Sequence, residues 1–288
     1  MNRRSLLFMP GNNPGMLTTA DVLGADTIVF DLEDAVSINE KDSARILVRE
    51  ALEFLDIVDS EVSVRINPYD SPYCLDDLAV IIPAKPDVIV IPKAGAESIQ
   101  AIEKEIERLE EEHQLDYKVD FILIIETAMG LFDLKAVLES SKRIVGLILG
   151  AEDLSSDLEI KRTKSNKEIE YARFSIATAA KAYKIDAIDT PYTDVEDFEG
   201  LREDTLFAKS IGFNGRLAIN PRQIEVIHHV FTPTEEEIGE AQEILFEAEE
   251  AEKSGLGVFS YKGKMVDLPV IKRAETTINS AKKWGLLK

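Results

Sequence analysis

Two carboxylates stand at matched places in the sequence. Glu126 ends the apolar run VDFILIIE, and Asp153 follows the apolar run IVGLILGAE. Between them lies MGLFDLKAVLESSKR, in which Met129, Leu131, Leu134, Val137 and Leu138 recur at helical spacing. Strand, helix, strand demands a parallel pair joined by a right-handed crossover. Neighbouring parallel strands lie roughly 4.8 Å apart, so acids at the same end of both come close together. Two unpaired carboxylates repel, and the pair wants a proton or a cation between them. Hard oxygen donors favour Mg2+ or a similar ion. The competing reading is that each acid caps the helix after it, a role that suits Asp153 before LSSD. Matched placement of both acids after fully apolar runs favours the metal.

The elements that must position these acids repeat along the chain. RSLLFMPG reads as a strand closed by Pro10 and Gly11. TIVFDLEDAV ends in Asp31, Glu33 and Asp34; EVSVRINPYD carries Arg65 and Asn67; DVIVIPKAG carries Lys93. Beyond the opening pair, DAIDTPYTD carries Asp189 and Tyr192, and GRLAINPRQ carries Asn220 and Arg222. Helical stretches alternate with these runs. Eight such units over residues 1–232 predict an α/β fold, a closed (β/α)8 TIM barrel rather than an open doubly wound sheet. Neither a G-x-G-x-x-G nor a P-loop pattern follows any strand.

A barrel places its active site at the C-terminal strand ends. Arg65 suits a substrate carboxylate there, because its planar fork donates two parallel hydrogen bonds; the alternative is an ion pair with Asp31 or Glu33. Asp31 and Glu33 alternate along one strand and share a face, from which they would hold Arg65 or the metal's waters. Lys93 is expected to pair with a neighbouring acid. The histidines are weak candidates: His113 lies in a charged helix, and His228 and His229 follow the last strand. Residues 233–288 break the pattern. TPTEEEIGEAQ opens a helix, GLGVFSYKGKMV resembles a hairpin, and a last helix follows. This is expected to be a C-terminal arm or lid.

A net charge of −21 argues against nucleic acid and anionic membranes as partners. A lone cysteine, Cys74, excludes an internal disulfide and fits a reducing compartment. No apolar run approaches the ~20 residues needed to span a bilayer, and MNRRSLLFMPGNN does not read as a signal peptide, so the chain is expected to be cytoplasmic.

Taken together and in order, RSLLFMPGNNP, FDLEDAV, VRIN, IPK, IET, LGAEDL, INPRQI and GKMVDLPV resemble the citrate lyase beta-subunit family of the HpcH/HpaI aldolase superfamily. The likeness runs through nearly the whole chain. It implies that Glu126 and Asp153 bind Mg2+ and that Arg65 binds substrate. It implies that Phe8, Pro10 and Ala151 lie against the substrate and its thioester. Asp267, in GKMVDLPV, matches an acid that relatives contribute from a neighbouring subunit's arm, placed to protonate an enolate carbon. The implied reaction cleaves a (3S)-citryl thioester on an acyl carrier protein to oxaloacetate and an acetyl thioester. The implied partners are an acyl carrier (gamma) subunit, a CoA-transferase (alpha) subunit and further copies of the chain, as a trimer or a multiple of one. A stand-alone malyl-, citramalyl- or citryl-CoA lyase or a malate synthase-like enzyme is the alternative within the superfamily; the alternative of a different class is a non-catalytic barrel acting as a scaffold or binding subunit, which a lack of metal binding would favour.

Overall fold

Eight parallel strands pair in sequence order and close on themselves. They are β1 (Ser5–Pro10), β2 (Thr27–Asp31), β3 (Glu61–Arg65), β4 (Val88–Ile91), β5 (Asp120–Ile125), β6 (Ile144–Leu149), β7 (Asp186–Asp189) and β8 (Gly215–Ala218). In this computed structural model, which describes residues 3–255 and 257–287, β1 pairs with β8 to complete the (β/α)8 barrel. Strands in a barrel are covered on both faces and need apolar residues on both. The inward face of these strands packs Leu6, Val29, Val90, Ile122, Ile148 and Ile188 into one cluster. The outward face, with Leu7, Ile28, Phe30 and Ile89, is equally buried.

The helices are α1 (Pro14–Leu17), α2 (Lys41–Phe54), α3 (Cys74–Ile81), α4 (Ala96–Glu112), α5 (Ala128–Phe132), α6 (Leu134–Glu139), α7 (Ala151–Asp157), α8 (Glu170–Tyr183), α9 (Phe198–Ile211), α10 (Ile224–Phe231), α11 (Glu235–Lys253) and α12 (Leu268–Lys283). Their patterning is that of layers with one wet side. On α4, Ile99, Ile102, Ile106 and Leu109 are buried, while most of its acids face water. The single helix expected between β5 and β6 is instead two, broken at Asp133. The reason lies in its first turns. Met129 is 67% exposed and Phe132 86%, so the expected apolar stripe is buried only from Leu134 onward.

The chain divides into two units, Met1–His228 and His229–Lys288. In the second, Thr234 and Glu237 form a reciprocal cap on α11, each side chain accepting from the other's backbone N–H. Strands β9 (Phe259–Tyr261) and β10 (Lys264–Val266) pair antiparallel, and Ile238, Ile244, Val266 and Ile278 form a small core of the unit's own. Among the described residues no helix is long and apolar enough to cross a membrane.

Candidate functional site

Strand alternation fixes which residues look inward. Phe8, Val29, Ile124, Ile148, Ile188 and Leu217 belong to the interior cluster. Two residues further along the same faces stand Pro10, Asp31, Glu126, Gly150, Thr190 and Ile219. Together with Arg65 at the end of β3, all of these line one cavity of about 540 Å³. Phe8, Ala151 and Asp153 line it too, so the sequence's metal pair, arginine and thioester residues meet in one place.

Neither acid of the pair serves as a helix cap. Thr127 caps α5 through its hydroxyl, and Gly150 stands at the cap position of α7, which leaves Asp153 in that helix's first turn. Glu126 Oε1 accepts from the backbone N–H of Lys93 at 2.6 Å. Among the described residues nothing donates a hydrogen bond to Glu126 Oε2 or to the Asp153 carboxylate. Burial, and then the nearby Asp153, push the Glu126 carboxyl up to about 7, against the pull of the Lys93 N–H. A buried acid beside a second acid is held protonated unless a cation takes the proton's place. Among the described residues no three His, Cys, Asp or Glu side chains converge as a closed metal cage. Two hard carboxylates with room around them suit an ion that keeps several waters, which is the habit of Mg2+ rather than of Zn2+.

Arg65 is fixed from three sides. Its Nε and Nη2 donate to the two oxygens of Asp31 at 2.7 and 2.6 Å, a two-pronged pairing. Its Nη1 lies 2.7 Å from Glu33 Oε2 and 3.4 Å from Asp34 Oδ2. The first of these contacts falls outside hydrogen-bonding angles, and Glu33 Oε2 is buried with no hydrogen bond. The guanidinium also sits 5.1 Å from the centre of the Phe8 ring. Thus the ion pair and the cavity-lining role, posed as alternatives for Arg65, coexist. Burial pushes the Glu33 carboxyl up to about 8; Arg65 opposes this, and Asp34, Glu126 and Asp31 add to it.

Other sequence expectations are corrected. Lys93 acts on Glu126 through its backbone, not its ammonium, which is exposed. A left-handed φ of 48° aims that N–H at the carboxylate. Strain of this kind costs about 1–3 kcal/mol and is characteristic of functional sites. Asp189 turns away from the cavity, because Ile188 takes the inward position on β7. It pairs instead with Arg173 at 2.8 Å and Arg216 at 3.4 Å, where Asp204 completes a buried cluster. Asn67 is buried against Asp77, Tyr192 donates to Asp197, Asn220 accepts from the N–H of Arg222, and Arg222 pairs at the surface with Glu196. His228 is half-buried rather than superficial, in contact with Ser5 Oγ at 2.7 Å. The buried Cys74 thiol is pushed up to about 12 and is inert as a nucleophile. In the second unit Asp267 caps α12, accepting from the Val270 N–H at 3.4 Å.

Two cavity residues escape a search for charge. A Cβ on Gly150 would fall 2.7 Å from Glu126 Oε2, so only glycine leaves the carboxylate its place. Thr190 is 1% exposed with an unpaired hydroxyl. The inward phase of Ile188 is the signal that points to it.

Comparison with known proteins adds independent findings. Residues 4–221 match the family model described as HpcH/HpaI aldolase/citrate lyase. The citrate lyase subunit beta of Leuconostoc mesenteroides is 41% identical, over 97% of this chain and 93% of its own. The mitochondrial citramalyl-CoA lyase of Rattus norvegicus is 35% identical, over 97% and 86%. Among solved structures, protein CitE of Mycobacterium tuberculosis in complex with magnesium, acetoacetate and coenzyme A superposes with a TM-score of 0.81 at 28% identity, covering 98% of each chain.

Proposed function

The chain belongs to the HpcH/HpaI aldolase/citrate lyase family, and from that premise we propose that it is a Mg2+-dependent carbon–carbon lyase of the citrate lyase beta-subunit type. The substrate is a citryl thioester on an acyl carrier protein, and the products are oxaloacetate and the acetyl thioester. The observation that carries this reading is the meeting of Glu126, Asp153 and Arg65 in one cavity at the C-terminal ends of the strands.

Glu126 and Asp153 are the residues that hold the ion, and Lys93 N–H fixes the first of them. Bound there, Mg2+ supplies Lewis acidity that lowers the pKa of a hydroxyl group next to a carboxylate. Arg65, pinned by Asp31 and backed by Phe8, has N–H donors to spare for a carboxylate or for negative charge developing in the transition state. Phe8, Pro10 and Ile219 offer an apolar wall for the thioester end. As the hydroxyl proton passes to solvent, the alkoxide oxygen forms the carbonyl of the oxo acid, and the carbon–carbon bond breaks with its electron pair going to the acetyl thioester. The acetyl-thioester enolate that leaves must then gain a proton at carbon. We assign that proton to Asp267 from the C-terminal unit of a neighbouring copy, in a homo-oligomer that is a trimer or a multiple of one. The complex completes its cycle with an acyl carrier (gamma) subunit and a CoA-transferase (alpha) subunit, in keeping with the subunit name of the Leuconostoc relative.

A second reading, a stand-alone lyase of free malyl-, citramalyl- or citryl-CoA, is favoured by the 35% identity to a citramalyl-CoA lyase. One experiment separates the two. Citryl-loaded carrier protein and a panel of free CoA esters are each offered with Mg2+. Cleavage of the carrier-bound thioester, read as release of its oxo acid, at least about tenfold faster in kcat/KM than cleavage of any CoA ester, each read by the oxo acid that it yields, upholds the first reading. The reverse order establishes the second. Glu126→Gln and Asp153→Asn are each expected to abolish turnover and the Mg2+-dependent rise in melting temperature; full activity in either sinks both readings.

A further inference from the structure

Arg65 owes its setting to a turn, and the turn is held by a buried lysine. Directly after β2, residues Leu32, Glu33 and Asp34 carry two of the three acids around the guanidinium. Lys41, at the start of α2 and 7% exposed, sends its ammonium under this turn. Its Nζ donates to the carbonyls of Leu32 and Glu33, both at 2.7 Å. The Leu32 carbonyl accepts a second hydrogen bond, from Asn67 Nδ2 at 3.0 Å. Asn67 is held in turn by the fully buried Asp77, which accepts its side chain at 2.7 Å and its backbone N–H at 2.9 Å. Asp77 also accepts from Arg45 Nε at 2.8 Å, and Arg45 lies one helical turn beyond Lys41 on α2.

An ammonium is costly to bury, and a lysine in the wall of a barrel calls for a reason. Packing alone would be served more cheaply by leucine or methionine. What the lysine adds is two short hydrogen bonds to adjacent carbonyls, which fix the orientation of consecutive peptides. It also adds positive charge behind Asp31 and Asp34, which outnumber the single Arg65 beside them. Burial lowers the Lys41 pKa, and those same acids with Asp77 work against that lowering. Freed from Lys41, the turn could swing Glu33 and Asp34 away, and Arg65 would keep only the Asp31 side of its cradle.

We propose that Lys41 is a positioning residue for Arg65, acting through the Leu32 and Glu33 carbonyls to set the cradle in which the guanidinium meets substrate. This rests on the reading of Arg65 as the carboxylate-binding group. The test is equilibrium binding of oxaloacetate in the presence of Mg2+, measured by titration calorimetry on the full chain, with Mg2+ affinity measured separately without the oxo acid. Lys41→Met is expected to weaken oxaloacetate about tenfold, within the range seen when groups that orient a ligand-binding residue are removed. Its Mg2+ affinity is expected to stay within about twofold of wild type, since Glu126 and Asp153 do not depend on the turn. In an Arg65→Ala background, Lys41→Met is expected to cost nothing further. Lys41→Gln keeps a donor for one carbonyl, is expected to fall between wild type and Lys41→Met, and serves as the probe should the methionine variant fail to fold. Unchanged oxaloacetate affinity in Lys41→Met overturns the proposal. So does an equal loss in the Arg65→Ala background, which would mean that Lys41 does not act through Arg65. Wild-type protein that binds Mg2+ but no oxaloacetate defeats the proposed function itself, and this assignment with it.

Discussion

At Gly150 one methyl group is enough to disturb the Glu126 end of the cavity. A Cβ there would sit 2.6 Å from Glu126 Cβ and 2.8 Å from Ile124 Cγ2, distances that force a shift of the strand or the acid. Gly150→Ala is therefore expected to destabilise by about 1–3 kcal/mol, the usual range for overpacking, and to weaken Mg2+ binding. Urea unfolding with a Mg2+ titration checks both; a variant unchanged in both has no such collision. Thr190→Val tests the opposite situation. An unpaired buried hydroxyl contributes nothing to stability, and its replacement by an isosteric methyl is nearly neutral or stabilising. A loss above about 1 kcal/mol would show that the hydroxyl has a partner after all. Glu33 gives the pH dependence. Its carboxyl, ordinarily near 4.5, is raised to about 8 in the fold, chiefly by burial. The folded state thus holds a proton that the unfolded state releases within that window. The contribution to stability is intact below about 4.5 and falls as pH rises towards 8, with a slope of about 1.4 kcal/mol per pH unit at most. In chelator-treated protein, Glu33→Gln is expected to flatten the decline between pH 5 and 8, while an identical decline in the variant would assign it to other groups.

Elements explain what the sequence shows and what it hides. Strand and helix order is legible because buried parallel strands must be apolar throughout and helices must be striped, as in VDFILIIE and the α4 stripe. The acids that follow β5 and β6 are legible for the same reason, but their placement is not matched: register carries Ile125 beside Leu149, which sets Gly150 opposite Glu126, and Asp153 stands a few residues further on, in the first turn of α7. Strand phase is harder. Asp189 reads as a site acid until one sees that Ile188 occupies the inward face, so that the acid must turn outward to Arg173 and Arg216. Lys93 is harder still, because its contribution comes from a backbone N–H set by φ, which no side-chain pattern reports. The reassignment of Asp189 is testable at this scale. Asp189→Ala leaves two buried arginines with only Asp204 between them, and breaking such a pair typically costs about 3–5 kcal/mol. Mg2+ affinity of the folded variant is expected to match wild type. Lost metal affinity with unchanged stability would return Asp189 to the site.

The whole molecule carries a formal charge of −21, and the cavity does little to offset it. Among the described residues Arg65 is the one basic residue lining it, and Asp31, Glu33 and Asp34 already surround that cation. A free CoA ester adds phosphate charges that must approach this acidic surface, whereas a carrier protein can present its thioester through protein–protein contacts. Such repulsion acts over the Debye length, roughly 30 Å at 0.01 M salt and 8 Å at 0.15 M. It bears on encounter rather than on the chemistry proposed for the cavity that Arg65, Glu126 and Asp153 line. The KM for a free CoA ester is therefore expected to fall as salt rises across that range at fixed Mg2+, with kcat nearly constant. Steady-state kinetics at several ionic strengths measure it. A KM that climbs with salt would mean that cations at the cavity mouth recruit the phosphates despite the net charge, and would shift the balance towards a stand-alone CoA-ester lyase.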